Sequence, residues 1–325
     1  MSRKFKRCFI TGIAGSGGSY LAEHINNKNK KIKIFGTYRS LGYKKLLKKK
    51  IKKIKLYRIN LCNFKSVKKT LKITKPDLLY HLAADADVAK SFSQPIYVTN
   101  NNTSSCINVL EAIRQLKLKT LIILCSTSEV YGIVPNKNLP IKENQKFNPV
   151  NPYAASKAHQ DFIAQIYSKY FNLKIIITRM FTYTNPRRNN LFQTAFASQI
   201  AKFEKKRKNN NKNILYHGNL NSKRCILDIY DAMEAYWLAA KKGKIGEIYN
   251  ISGYKIISIK NYLDELIKRS KVKIVTKINP KLIRPVDIEL QLPDSKKFRK
   301  DTGWYEKISF KDSICKFINE CRKIY

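Results

Sequence analysis

Residues 7–19 read RCFITGIAGSGGS, and this stretch decides the fold. A short apolar run leads into glycines at positions 12, 15 and 18, and an amphipathic segment follows. In a strand–turn–helix of this kind, the first glycine allows the tight turn, the second lets the backbone approach a pyrophosphate, and the third lets helix and strand pack closely. Phosphates lie at the helix N-terminus, where backbone N–H groups are unpaired. We therefore assign Gly12, Gly15 and Gly18 to a dinucleotide site.

The pattern that follows this turn is a regular alternation of strand and helix. The predicted strands cover residues 7–13, 32–37, 55–59, 78–82, 120–126 and 173–178, and the predicted helices cover residues 19–26, 41–53, 64–74, 95–116 and 153–171. Apolar runs such as residues 121–124 suit strands that are buried on both sides. The alternation predicts an α/β fold, a Rossmann-type doubly wound parallel sheet with helices on both faces.

The alternation loosens after the sixth strand, where we expect a second domain to begin. Residues 1–178 are predicted to form the dinucleotide-binding Rossmann domain, with residues 225–251 returning to it. Residues 179–224 and 252–325 are expected to form a smaller C-terminal α/β domain that binds the substrate. Within that part, residues 209–212 (NNNK) predict a polar loop.

The chain is strongly basic, with 65 Lys and Arg against 22 Asp and Glu and a net charge of +43. Such a charge is typical of proteins that bind polyanions, and a catalytically silent polyanion-binding protein is one alternative. The lysines are spread along the chain, however, and many, such as those in residues 44–55, fall where a predicted helix faces solvent. We therefore expect a lysine-rich surface with no specific nucleic-acid partner and no membrane partner.

The seven cysteines include no Cys-x-x-Cys pair, and there are four histidines. We find no zinc spacing and expect no metal. No stretch reaches the roughly 18 consecutive apolar residues that span a bilayer. The basic start at residues 1–6 leads into a predicted buried strand rather than a signal peptide. An odd cysteine count without a signal peptide favours reduced thiols and a cytoplasmic protein.

Two further segments are predicted to contact the dinucleotide. The second strand runs into GTYRS at residues 36–40, with no acidic residue for the adenosine ribose hydroxyls. Arg39 is instead placed to pair with a 2′-phosphate and Ser40 to donate to it, which favours NADP, with NAD as the alternative. After the fourth strand, the small Ala83 in HLAA (residues 81–84) lets the dinucleotide lie flat over the sheet edge.

The segments that carry the reaction are STSEVYG at residues 126–132 and YAASK at residues 153–157. Tyr153 and Lys157 are four residues apart and share one face of a helix. A nearby ammonium lowers the pKa of a phenol by favouring the phenolate. The tyrosine can then exchange a proton with a sugar hydroxyl while a hydride moves to or from nicotinamide. Thr127, at the end of the fifth strand, is expected to hydrogen-bond the same oxygen.

With these motifs the chain resembles the extended short-chain dehydrogenases (the NAD-dependent epimerase/dehydratase family) over nearly its whole length. Its STSEVYG segment looks like that of GDP-mannose 4,6-dehydratases and is similar to that of UDP-glucuronate decarboxylases. The dehydratase resemblance implies that Glu129 removes the C5 proton and protonates the departing C6 hydroxyl. It also implies that Tyr153 takes the O4 proton, that Lys157 holds both the tyrosine and the nicotinamide ribose, and that the hydride returns to C6.

Downstream segments resemble the same branch of the family. They are NPRR at residues 185–188, HGNL at residues 217–220 followed by an arginine, and RPVD at residues 284–287. A forked guanidinium suits a diphosphate. The resemblance implies that the substrate is bound by Thr182, Arg187, Arg188, Asn219, Arg224 and Arg284.

Three departures from the family pattern leave the exact sugar open. Thr182 stands where relatives usually have an asparagine that contacts the substrate. Cys225 stands where an aspartate usually follows the arginine, and Asp85–Ala86 replaces a usual Gln-Ser pair. Residues 192–204 look slightly nearer to GDP-4-keto-6-deoxymannose reductases, which consume NADPH.

The resulting hypothesis is an NADP-dependent sugar-nucleotide 4,6-dehydratase acting on GDP-mannose or a related GDP-hexose or GDP-heptose. The GDP-4-keto-6-deoxymannose reductase is the nearest alternative, and another epimerase or decarboxylase of the family is a further one. The resemblance also implies a homodimer or homotetramer, with dimerisation through the helix that carries Tyr153 and the long helix before it.

Overall fold

The computed structural model describes residues 2–206, 213–283 and 286–325. The polar loop predicted at residues 209–212 and the predicted substrate residue Arg284 lie outside them. The described strands are β1 Arg7–Thr11, β2 Lys33–Tyr38, β3 Ile54–Arg58, β4 Leu78–His81, β5 Leu121–Thr127, β6 Lys174–Met180, β7 Asn213–His217, β8 Lys223–Cys225, β9 Ile248–Ile251, β10 Ile256–Ser258, β11 Ile274–Ile278 and β12 Leu290–Gln291. The described α-helices are α1 Ser16–Lys28, α2 Lys44–Lys50, α3 Phe64–Thr74, α4 Val88–Ser93, α5 Pro95–Gln115, α6 Pro152–Tyr170, α7 Phe192–Lys205, α8 Ile229–Lys242, α9 Ile259–Ile267, α10 Lys296–Thr302 and α11 Phe310–Ile324.

Seven strands of the described chain form one parallel sheet in the order β3-β2-β1-β4-β5-β6-β9. Helices cover both faces, so the predicted Rossmann-type doubly wound sheet is confirmed. The chain runs from β1 outward to β3 and then returns to β4 on the other side of β1. Open α/β sheets bind ligands at the carboxyl ends of the strands beside such a reversal.

The sheet is buried on both faces because successive side chains of a strand point to opposite sides. In β5, Leu121 and Ile123 pack into the core that includes α1 and α8. Ile122 and Leu124 pack into the core on the opposite face, which includes α5 and α6. The uninterrupted apolar run in this strand follows directly from the two cores.

The element boundaries differ from the sequence prediction where glycines turn the chain. The first strand ends at Thr11 rather than residue 13, because Gly12 adopts a φ of +68°. The predicted helix over residues 41–53 begins only at Lys44, because Gly42 adopts a φ of +39° and the Tyr43 amide donates to the carbonyl of Ala14. The seventh strand, β9, is four residues long, and the strand–helix alternation did not reveal it.

The remaining strands form two small sheets, β10-β8-β12 and β11-β7. A separate apolar core joins α7, α9 and α11 beside them, with Phe196, Tyr262 and Phe317 at its centre. Among the described residues, no helix combines the length and apolar character that crossing a membrane requires.

Candidate active site

A cavity of about 920 Å³ lies at the carboxyl ends of β1, β4, β5 and β6. One half of its wall comes from the glycine-rich turn and the strand ends, and the other half comes from α7, β7 and the segment around Leu282. The cavity therefore lies at the reversal of strand order, between the sheet and the smaller elements.

The glycine-rich turn is packed too closely to accept side chains at two of its positions. A Cβ atom on Gly18 would lie 2.4 Å from the carbonyl oxygen of Gly12 and 2.8 Å from the Cα atom of Ile13. A Cβ atom on Gly12 would lie 3.1 Å from the Cα atom of Ala83, and the backbone there has a φ of +68°. Gly15 is the N-cap of α1, whose first turn contains no acidic residue. The backbone amides of this helix start can therefore face an anion.

The wall of the cavity fits a dinucleotide at a second point. The Ser126 hydroxyl is buried, borders the cavity and has no hydrogen-bond partner among the described residues. Buried hydroxyls without partners are uncommon, because each gives up its bonds to water. Together with the glycine-rich turn, this hydroxyl supports a nicotinamide dinucleotide as the occupant of this half of the cavity.

The residues predicted for the adenosine end, Arg39, Ser40 and Ala83, all border the cavity. Arg39 Nη1 donates to Asn101 Oδ1 at 3.1 Å, and its guanidinium lies 5.8 Å from the ring centre of Tyr97. The guanidinium is exposed and its partner Asn101 is a neutral amide, so an anion can bind Arg39 without breaking this contact's charge balance. Ala83 donates its backbone N–H to Thr11 Oγ1 at 3.0 Å, which ties the end of β4 to β1.

Tyr153 and Lys157 both border the cavity from α6, as their spacing predicts. Lys157 is almost fully buried, and its ammonium donates to the Cys125 carbonyl at 2.7 Å and to Gln160 Oε1 at 2.6 Å. Burial lowers the pKa of the Lys157 ammonium. Two bonds within the protein therefore hold this cation beside β5.

The protonation of Tyr153 differs from the sequence-based expectation. Burial raises the pKa of the Tyr153 phenol to about 12, the charge of Arg188 opposes this rise, and the charge of Glu129 adds to it. A hydrogen bond with the Thr127 side chain also favours the phenolate. The largest charge opposing the rise is that of Arg188, whereas the Lys157 ammonium is held by the Cys125 carbonyl and Gln160.

Glu129 lies in a 3₁₀ turn, Ser128–Tyr131, directly after β5, and it borders the same cavity. The backbone N–H of Glu129 donates to Thr127 Oγ1 at 3.3 Å. Asn151 Nδ2 lies 3.4 Å from Glu129 Oε2, and Asn151 Oδ1 caps α6 by accepting from the Ala154 amide at 2.8 Å. Thr127, Glu129 and Tyr153 are thus brought together, as predicted.

The two adjacent arginines of the NPRR segment have different surroundings. Arg188 borders the cavity and donates to the Ala86 carbonyl at 2.6 Å. Arg187 does not border the cavity. Its guanidinium lies 3.8 Å from the ring centre of Tyr20, donates to Ser19 Oγ and pairs with Glu23 at 2.7 Å. The structure therefore places Arg187 against α1 and away from the predicted substrate position.

The other predicted substrate residues within the described chain, Thr182, Asn219 and Arg224, border the cavity. Asn219 Nδ2 donates to Asp287 Oδ2 at 2.7 Å, and Arg224 Nη2 lies 3.8 Å from Asp287 Oδ1. Cys225, which replaces the usual aspartate, is buried. Asp287 thus contacts both Asn219 of the HGNL segment and Arg224 on β8.

Sequence reasoning missed several residues of the site. Asn151 followed by Pro152 is a recognisable N-cap signal, so its place at the start of α6 was predictable. Ser126 and Asp287 lay within quoted motifs but carried no assigned role. Gln193 borders the cavity from the first turn of α7, and it lay within the compared segment 192–204 without an assigned role.

Comparison with known proteins gives a consistent picture. A family model described as GDP-mannose 4,6 dehydratase matches residues 9–317. The chain is 28% identical to GDP-mannose 4,6 dehydratase of Dictyostelium discoideum, covering 97% of this chain and 95% of that protein. It is 33% identical to dTDP-D-glucose 4,6-dehydratase of the same organism, covering 76% of this chain and 58% of that protein.

Solved structures share the fold. RMD from Pseudomonas aeruginosa complexed with NADPH is 22% identical, with a TM-score of 0.83 over 98% of this chain and all of that chain. UDP-glucose 4-epimerase from Thermus thermophilus in complex with NAD is 23% identical, with a TM-score of 0.85 over the same shares. The first of these structures contains NADPH and the second contains NAD.

Proposed function

The chain belongs to the GDP-mannose 4,6-dehydratase family and is an enzyme of the hydro-lyase type, and from this premise we propose that it converts GDP-mannose or a related GDP-hexose or GDP-heptose to the 4-keto-6-deoxy sugar nucleotide. The observation that carries the proposal is the position of the Glu129 carboxylate. It borders the same cavity as Thr127 and Tyr153, and its charge acts on the Tyr153 phenol. Proton transfer to or from a sugar hydroxyl needs only the tyrosine as an acid–base group, whereas elimination of water needs a second one.

Tyr153 is the group that removes the proton from O4 of the sugar. Thr127 hydrogen-bonds the Tyr153 side chain and lies beside the same oxygen. Lys157, whose ammonium is held in place by Cys125 and Gln160, would hold the nicotinamide ribose with its remaining N–H group. A bound nicotinamide would supply the acceptor for the C4 hydride and its donor at C6.

Glu129 acts on the other side of the resulting ketone. A 4-keto group acidifies the C5 proton, and the carboxylate removes that proton as a general base. The same group then donates the proton to the departing C6 hydroxyl, so water leaves and the carboxylate is regenerated. Hydride addition at C6 would leave an enolate that takes a solvent-derived proton at C5, and Tyr153 returns the O4 proton to solvent, so the net change is the loss of one water. Asn151 holds one carboxylate oxygen, which keeps the other free for this transfer.

NADP is the proposed cofactor because the adenosine end of the cavity has a cation, Arg39, and no carboxylate at the end of β2. Arg39→Ala is expected to weaken NADP binding about tenfold or more, since a charge-assisted contact is lost, with little effect on NAD. The control is Lys55→Ala, on β3 outside the cavity wall, which should leave both affinities unchanged. Equal loss of NADP and NAD affinity in Arg39→Ala would contradict the assignment.

The diphosphate of the substrate is proposed to lie between Arg188 and Arg224, with residues 179–224 and 252–325 as the substrate domain. Both arginines border the cavity. Their guanidinium groups suit phosphate oxygens. Arg187, which is held by Glu23 and Tyr20, takes no part in this site.

A homodimer through α5 and α6 is also proposed. Apolar side chains on these helices are unusually open, with Ile96 77%, Phe162 55% and Tyr170 67% exposed. Large apolar side chains exposed on a pair of neighbouring helices suit an interaction surface. Sedimentation equilibrium tests the proposal, and a monomer at micromolar concentration would contradict it.

The activity is tested by incubation with GDP-mannose and a catalytic amount of NADP, followed by mass analysis of the sugar nucleotide. Loss of one water without net cofactor consumption is expected, and in D₂O the product should gain one deuteron at C5. Glu129→Gln should abolish the dehydrated product, whereas Glu265→Gln, on α9 outside the cavity wall, should not. If Glu129→Gln forms the product at the wild-type rate, the role of Glu129 is wrong. Stoichiometric NADPH consumption with a 4-keto sugar, and no dehydration, would identify a reductase instead.

A further inference from the structure

Gln193 is a buried amide in the cavity wall whose polar atoms are unpaired within the described part of the chain. It lies in the first turn of α7 and borders the cavity, and its side chain is fully buried. Neither Oε1 nor Nε2 of Gln193 has a hydrogen-bond partner among the described residues. Both ends of one carboxamide have therefore lost water without gaining a replacement there.

Gln199, on the same helix, shows what a glutamine satisfied by the fold looks like. Its Nε2 donates to the Tyr216 carbonyl at 3.0 Å, and its Oε1 accepts from the Tyr216 amide at 2.9 Å. This pair of bonds joins α7 to β7. Gln193 makes no equivalent contact within the described ranges, and an unpaired buried polar group destabilises the fold because it gives up its bonds to water. Packing alone would favour an apolar residue at position 193.

Gln193 lies at the reaction-centre end of α7. Thr194 Oγ1 donates to the Arg188 carbonyl, which joins the first turn of the helix to the arginine whose charge acts on Tyr153. Gln199 lies six residues further on, about 9 Å along the helix axis, beside β7. The sugar that meets Tyr153 is therefore nearer to Gln193 than to Gln199.

The chemistry of a carboxamide separates the groups that Gln193 can bind. A diphosphate only accepts hydrogen bonds, so it would satisfy Nε2 and leave Oε1 without a donor. A sugar hydroxyl both donates and accepts, so one hydroxyl, or two neighbouring ones, satisfies the whole carboxamide. We propose that Gln193 is a specificity-determining residue that binds hydroxyl groups of the hexose. This inference rests on the proposed function, because it requires a nucleotide sugar in the cavity.

Binding in this way requires a small local rearrangement. Gln193 is fully buried, whereas the neighbouring wall residues Arg188 and Phe192 are half-buried. Both border the cavity: the Arg188 guanidinium donates to the Ala86 carbonyl and Asn190, and the Phe192 ring packs against Phe196 and Tyr262. In this proposal the entering hexose displaces the Arg188 side chain and so opens the Gln193 carboxamide to a sugar hydroxyl.

The test compares Gln193→Met with the wild-type protein and with Gln199→Met. Methionine keeps the length of the side chain and removes both polar atoms. Without ligand, Gln193→Met should have an unchanged or higher Tm, whereas Gln199→Met should have a lower Tm because two bonds to β7 are lost. By calorimetry, Gln193→Met should bind GDP-mannose at least about tenfold more weakly and bind GDP as the wild-type protein does.

The possible results distinguish a failure of the inference on Gln193 from a failure of the proposed function. If wild-type protein binds GDP-mannose and Gln193→Met binds it equally well, the inference on Gln193 is overturned and the proposed function stands. A lower Tm of the unliganded Gln193→Met protein, or equal weakening of GDP and GDP-mannose binding, also overturns it. If the wild-type protein binds no nucleotide sugar, the proposed function itself fails and the inference with it.

Discussion

Asn151 Nδ2 lies 3.4 Å from Glu129 Oε2, so the residue that caps helix α6 also holds the carboxylate of the 3₁₀ turn after β5. Asn151 Oδ1 accepts from the Ala154 amide at 2.8 Å, one residue beyond Tyr153. One asparagine therefore sets the start of the helix that carries the phenol and the orientation of the carboxylate. The two acid–base groups are positioned relative to each other through a single side chain.

Asn151→Asp keeps the capping of helix α6 and removes the hydrogen bond to the Glu129 carboxylate. Aspartate caps a helix about as well as asparagine, so the free energy of unfolding should change by less than about 1 kcal/mol. It offers no N–H donor to Glu129 and places a second negative charge beside it. We expect the dehydration rate to fall about tenfold or more, measured by single-turnover product formation beside thermal unfolding.

The matched control is Asn63→Asp. Asn63 caps α3 in the same way, accepting from the Ser66 amide at 2.9 Å, and it does not border the cavity. This variant should keep both stability and activity. If Asn151→Asp retained wild-type activity, the contact with Glu129 would have no role in positioning.

The buried phenol of Tyr153 makes stability depend on alkaline pH. Its pKa is raised by burial from the ordinary value of 10 to about 12, and the side chain is only 8% exposed. The neutral phenol therefore stabilises the folded state fully below pH 10, and this contribution is lost as the pH rises through about 12. Two pKa units correspond to a loss on the order of 2–3 kcal/mol.

Tyr153→Phe isolates this contribution from the other buried tyrosines. The difference in unfolding free energy between wild type and Tyr153→Phe should be constant from pH 7 to about pH 9. Above pH 10 the wild-type protein should lose stability relative to the variant, as measured by urea denaturation at a series of pH values. A parallel pH dependence of the two proteins would contradict the raised pKa.

Much of the fold was predictable from local patterns because each pattern has one dominant physical cause. The glycine spacing at residues 12–18 meets a steric requirement, and the strand–helix alternation reflects burial of both sheet faces. The i, i+4 spacing of Tyr153 and Lys157 depends only on helix geometry. These features placed the cofactor loop and the reacting side chains at one sheet edge.

Contacts between distant segments escaped the sequence-based interpretation. Lys157 contacts the Cys125 carbonyl on a different element, and no spacing in the sequence links these two residues, whereas its other partner, Gln160, is three residues away on the same helix. The short strand β9 carries too few residues for a periodic signal. Arg187 and Arg188 are chemically identical neighbours, and only the path of the loop decides which one meets the cavity.

The packing of the glycine-rich turn predicts that alanine lowers stability at position 18 and leaves it unchanged at the neighbouring position 17. A Cβ on Gly18 would lie 2.4 Å from a backbone oxygen, so Gly18→Ala must displace the turn. A Cβ on Gly17 would meet only side-chain atoms of Leu82 and Tyr183, each at 3.5 Å, an ordinary contact. Gly18→Ala should lose about 1–3 kcal/mol of stability, the usual range of overpacked sites, and most dinucleotide binding. Gly17→Ala should fold with wild-type stability, and calorimetric unfolding of the two variants distinguishes them.

The two arginines of the NPRR segment give the last prediction, because their surroundings differ so sharply. Arg187 pairs with Glu23 at 2.7 Å, lies over the Tyr20 ring and is largely enclosed. Arg187→Met therefore removes one partner of the half-buried Glu23 carboxylate, which keeps its other partner, Lys50, at 2.6 Å. The variant should lose about 2 kcal/mol of stability, less than for a fully isolated buried charge, with KM for the sugar nucleotide unchanged.

Arg188→Met should behave in the opposite way. Its guanidinium contacts the Ala86 carbonyl and the exposed Asn190, so stability should change by less than about 1 kcal/mol. KM should rise about tenfold or more because the diphosphate loses a cation. Thermal unfolding and steady-state kinetics of the two variants form the measurement. An unchanged KM in Arg188→Met together with a raised KM in Arg187→Met would reverse the assignment and place the substrate against α1.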